Sequence, residues 1–112
     1  MKRHISYTEV SPEALAVFDL FSKKEGAEYI ATPVTIQALL DMDRAHPFTT
    51  VLEMGAGIGT ITYTVLAHTK AHIDTYEDNE FCKSALAKNL AGYESRYTLL
   101  TAYADKPPHS TY

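Results

Sequence analysis

Thr49-Thr50-Val51-Leu52-Glu53-Met54-Gly55-Ala56-Gly57-Ile58-Gly59-Thr60 begins as a short β-branched, apolar run and then meets three glycines at alternate positions. The run has the residue types and length of a strand. Ile61 to Ala67 follows with helix length and an apolar face, so the segment reads as strand, glycine turn, helix. His72 to Tyr76 alternates like a second strand. Phe81, Cys82, Ala85, Leu86 and Leu90 then fall at helical spacing before Gly92, and Tyr97 to Leu100, extending toward Tyr103, supplies a third strand. Two successive βαβ units with right-handed crossovers give a parallel sheet ordered 3-2-1. Upstream, Ser11-Pro12-Glu13 is a cap, a first-turn proline and a first-turn acid, opening a helix whose apolar residues Leu15, Phe18 and Leu20-Phe21 run to Gly26. Thr32-Pro33 repeats the signal for a second helix that ends before His46-Pro47. The tail from Asp105 to His109 carries two prolines and reads as loop. The chain is therefore one α/β domain over residues 1–112, with two helices in 1–47 and a βαβαβ half in 48–112.

Composition narrows the function. A chain of 112 residues has room for one domain. With 46% hydrophobic and 21% charged residues and a mean hydropathy of −0.18, it is too apolar for disorder and too interrupted by charge for a spanning helix. Met1 to Val10 (MKRHISYTEV) lacks the apolar stretch of a signal peptide, which gives an intracellular, cytoplasmic expectation. Cys82 is the single cysteine, and the five histidines lack paired metal-ligand spacing, so no metal site is expected. A net charge of −4 argues against a nucleic-acid partner.

The chemistry sits at two strand tips. Glycines between a strand and a helix let the backbone approach a ligand closely. A pyrophosphate-binding turn, G-x-G-x-x-G/A, would need glycine or alanine where this chain has Thr60. Glu53, two residues before the first glycine, would repel phosphate but suits a ligand with an ammonium and a sulfonium. Glu77, 22 residues after Gly55, ends the second strand, where a carboxylate can accept from both ribose hydroxyls. A ribose, a cation and a glycine turn together point to S-adenosylmethionine. A dinucleotide oxidoreductase is the alternative that Thr60 and Glu53 disfavour. The bland readings of the same residues are a structural glycine turn, acids at a helix start (Glu77, Asp78 as a cap), and core packing for Cys82, Tyr29 and Tyr63.

At VLEMGAGIGT (51–60) and DTYEDN (74–79) the chain resembles the class I S-adenosylmethionine-dependent methyltransferases, with their acid-x-G-x-G-x-G first motif and their acid closing the next strand. YIATPVTIQALL (29–40) is similar to the helix before the first strand in small-molecule O-methyltransferases. The resemblance spans residues 25–105 and implies the cofactor-binding half of a Rossmann-like three-layer fold. It implies that Glu53 holds the amino-acid end of the cofactor, that Gly55, Gly57 and Gly59 form the turn beneath it, that Glu77 binds the ribose, and that Asp78 and Asp105 border the adenine. The family continues past the third strand, so the acceptor stays unknown, no catalytic residue is assigned, and a non-catalytic cofactor-binding or partner module is the rival. The first strand, interior in that family, would be an edge here. A homodimer or a longer parent chain is expected to cover it.

Overall fold

In the computed structural model, residues 9–102 and 106–112 are described. Helix α1 (Pro12–Ser22) starts where Ser11 Oγ accepts from the Ala14 amide at 3.2 Å, and α2 (Pro33–Ala45) starts where Thr32 Oγ1 accepts from the Thr35 amide at 3.3 Å. A proline at the first position of each fixes φ where no intrahelical N–H is needed. Then follow β1 (Thr50–Met54), α3 (Thr60–His68), β2 (His72–Tyr76), α4 (Glu80–Asn89) and β3 (Tyr97–Leu100). The strands are parallel, β2 lies between β1 and β3, and the register matches Val51 to Ile73 and Ile73 to Tyr97. This is the expected 3-2-1 order.

Alternation along β2 sends Ile73 and Thr75 to one face of the sheet and His72 and Asp74 to the other. Ile73 packs with Val65 and Leu66 of α3, Leu86 of α4 and Leu90 at the end of α4, so both crossover helices lie on that face. Helices α1 and α2 pack on each other and on α3 through Ala14, Val17, Phe21, Ile36 and Leu40, with Ile58 of the glycine turn. The buried stripe of α1 thus runs Ala14, Val17, Phe21. Leu15 and Leu20, expected to face inward, are 45% exposed, because the 3.6-residue period places them on the two flanks of that stripe. On the Asp74 face, the third layer among the described residues is the tail, through His109 and Tyr112, rather than a helix.

Two polar side chains, the buried Gln37 and the half-buried Arg96, splice distant segments. Gln37, on the inner face of α2, accepts from the Ser11 amide at 2.8 Å and donates to Asp41 at 2.9 Å. The Arg96 guanidinium, just before β3, donates to the carbonyls of Leu66, Thr69 and Ala71 at 2.8, 2.9 and 2.7 Å. It satisfies carbonyls that the end of α3 leaves open, and so fixes the entry of β2 against that of β3. No described helix is long and apolar enough to cross a membrane.

Candidate cofactor site

The strands finish level, since the register aligns Met54 with Tyr76 and Tyr76 with Leu100. The chain leaves β1 into the glycine turn, where the amides of Gly55 and Ala56 donate to the Tyr76 carbonyl at 3.0 and 2.9 Å. Glu77 leaves β2 beside it, its own amide donating to the Leu100 carbonyl at 2.9 Å. Its carboxylate then reaches back: Oε1 accepts from the Gly57 amide at 2.7 Å and Oε2 from the Asn79 amide at 3.1 Å. The two motifs, separate in sequence, are thereby in contact. Gly55 and Gly57 have φ of 93° and 59°, and a Cβ on either would meet nothing within 4 Å. Conformation rather than crowding calls for glycine there, and the space above the backbone is open.

Glu53 lies deeper, on the helix-facing side of β1. Its Oε1 accepts from Thr62 Oγ1 of α3 at 2.5 Å and Thr75 Oγ1 of β2 at 2.7 Å. Burial pushes its carboxyl above the usual range; the two threonine hydrogen bonds oppose that rise, and the negative charge of Glu77 adds to it. Facing the turn is the segment from Gly26 to Ala31, and between them lies a cleft of about 410 Å³ that Glu53, Gly55, Gly57 and Thr60 also line. That volume falls within the range of small-ligand pockets, roughly 300–1,000 Å³. Thr60, 4% exposed, is the one described residue with a buried side-chain oxygen or nitrogen lacking a hydrogen-bond partner. Such an atom costs about 1–3 kcal/mol, which a polar ligand group in the cleft would recover.

The structure therefore brings Glu53, Gly55, Gly57 and Glu77 to one end of the sheet. Gly59 plays a different part: at φ 101° it caps α3, with Leu86 of α4 and Leu90 just past its end at 3.6 and 3.7 Å from where its Cβ would stand. Asp78 is exposed beside Glu77, and the α4 cap expected of it belongs to Asn79, whose Oδ1 accepts from the Cys82 amide at 3.0 Å. Asp105 lies outside the described residues. Tyr63 is a packing residue between Phe21 and Tyr93, with ring centroids 5.4 and 6.1 Å away, whereas Tyr29 stands 97% exposed on the cleft wall. Cys82 lines the cleft as well, and burial followed by the charge of Glu77 pushes its thiol up, away from a nucleophilic thiolate. Thr60, which the sequence presents only as a mismatch to a pyrophosphate turn, is a lining group of the cleft. Thr62 and Thr75, which hold Glu53, gave no motif signal.

No protein-family model and no curated protein matches the sequence. Solved structures do match. A Staphylococcus aureus protein assigned as a caffeoyl-CoA O-methyltransferase superposes with a TM-score of 0.68 at 23% identity, over 84% of this chain and 45% of its own. A Podospora anserina methyltransferase, solved with SAH bound, superposes at 0.65 and 18% identity over 85% and 43%. The precorrin-6Y C5,15-methyltransferase of Geobacter metallireducens gives 0.60 and 19% over 79% and 47%. The fold is the one these methyltransferases share. The chain spans about half the length of each, and its parallel sheet with the crossover helices is the part of the Rossmann-like fold that it has in common with them.

Proposed function

We propose that this chain binds S-adenosylmethionine in the cleft above the glycine turn and serves as the cofactor-binding half of a methyltransferase. The observation that carries the proposal is the joining of the Glu77 carboxylate to the Gly57 amide, which sets an acid able to accept from ribose hydroxyls beside an open backbone cradle. The residues present fit the cofactor. Glu77 would accept from the ribose hydroxyls, with the exposed Asp78 toward the base. The backbone of Gly55 and Gly57 would pass beneath the amino-acid end. Glu53 would set a negative charge under the ammonium, and the unpartnered Thr60 hydroxyl offers a donor and an acceptor to the carboxylate or ammonium. Bound there, the cofactor supplies a methyl group on a sulfonium; the chain's part is to orient it and to screen it from water. The absence of a phosphate-compatible position at Thr60 and the acid at Glu53 favour this ligand over a dinucleotide. Thermal melting tests it: S-adenosylhomocysteine at about 100 times its Kd should stabilise the fold by about 2.7 kcal/mol, while NAD at the same concentration should leave the transition in place. The reverse pattern would refute the assignment.

Among the described residues β1 pairs with β2 alone, so its outer edge presents unpaired amides and carbonyls. A second copy meeting it across a two-fold axis would satisfy both edges at once, and this remains our proposal for the edge. Light scattering should then report twice the mass of the chain. A monomer whose Val51 to Met54 amides resist exchange would assign the edge to another segment of the protein.

A further inference from the structure

On the sheet face opposite α3 and α4, we propose that His72, Asp74 and His109 form a binding site for a divalent transition ion of the zinc class. Asp74 is fully buried at the centre of β2. His72 Nε2 lies 3.1 Å from its Oδ1, while His109 Nδ1 and the Tyr112 hydroxyl lie 2.6 and 2.5 Å from its Oδ2. One atom from each of His72, Asp74 and His109 can be chosen so that all lie within 4.8 Å of one another, and the two imidazole rings stand 5.0 Å apart. A tetrahedral ion with bonds of about 2.0–2.1 Å spaces its ligands about 3.3 Å apart, so side-chain adjustments on the order of 1 Å suffice. Two imidazoles with one carboxylate suit zinc, nickel, copper or iron, whereas magnesium and calcium prefer sets made of oxygen alone. The Tyr112 oxygen or a water would take the fourth position. A buried carboxylate is stable when it is paired or bound to a metal, and this one is already ringed by three groups able to share an ion with it. The site would pin the tail to β2 across 35 residues of sequence.

Zinc titration of tag-free protein, by competition with a chromogenic chelator, tests the proposal. One equivalent should bind with micromolar or tighter affinity, and Co²⁺ in its place should show the visible absorption of a tetrahedral centre. His109→Ala and His72→Ala should each weaken binding at least tenfold, and His46→Ala, at the end of α2, should change nothing. Because the His109 side chain is 42% exposed, His109→Ala should keep the far-ultraviolet circular dichroism of the parent. Absence of stoichiometric zinc binding in the parent, or undiminished binding by folded His109→Ala, would overturn the site and leave Asp74 as the centre of a hydrogen-bonded tail contact. Neither result bears on the cofactor cleft.

Discussion

Glu77→Ala should weaken S-adenosylhomocysteine binding by roughly 10- to 150-fold, the equivalent of the 1.5–3 kcal/mol associated with hydrogen bonds to a charged group. In the structure the carboxylate already accepts from two amides, one in the glycine turn and one at the start of α4. Both lie at the surface end of the sheet, where water can replace the lost acceptor, so the melting temperature should move by only a few degrees. Glu77→Gln keeps an acceptor without the charge and should lose less affinity. If calorimetry finds both variants binding like the parent, the carboxylate braces the turn and has no ribose to hold.

Glu53→Gln should separate stability from binding. The folded carboxyl is raised above its unfolded value, chiefly by burial and further by Glu77, against the pull of Thr62 and Thr75. The native state therefore binds the proton more tightly than the unfolded chain. Stability from this group is fully present below the unfolded carboxylate pKa, about 4.3, and is lost as pH rises through the raised folded value. Glutamine stays neutral throughout and can still accept from both threonine hydroxyls. At pH 8 the variant should melt a few degrees above the parent, with the difference closing toward pH 4. Its affinity for S-adenosylhomocysteine should fall about tenfold, because a hydrogen bond to an ionised group is worth about twice a neutral one. A variant less stable than the parent at pH 8, with affinity unchanged, would show that Glu53 is a structural acid.

Local signals made the frame legible. Ser11-Pro12 and Thr32-Pro33 mark helix starts through contacts within three residues, and the glycines at 55, 57 and 59 announce the turn because their φ values are ones that other residues avoid. The acids at 53 and 77 were legible because strand ends fix where such residues land. Which apolar face of α1 turns inward was harder to see. Ala14 and Val17 are less conspicuous than Leu15 and Leu20, and only the packing of α2 and α3 selects between the stripes. Non-local polar contacts left no trace in the spacing. Arg96 finds three carbonyls 25 to 30 residues away, and His72 and His109 converge on Asp74 only because the tail returns over the sheet. The α4 cap fell to Asn79 rather than Asp78 because the chain spends one more residue leaving Glu77.

We expect the cleft between the glycine turn and residues 26–31 to take an adenosyl sulfonium cofactor. Isothermal titration of the intact chain with S-adenosylmethionine, S-adenosylhomocysteine and NAD tests it most directly. Saturable binding of both adenosyl ligands at one site per chain, with NAD at least tenfold weaker, is the predicted result. Tighter binding of NAD, or no heat with either adenosyl ligand at millimolar concentration, would contradict it.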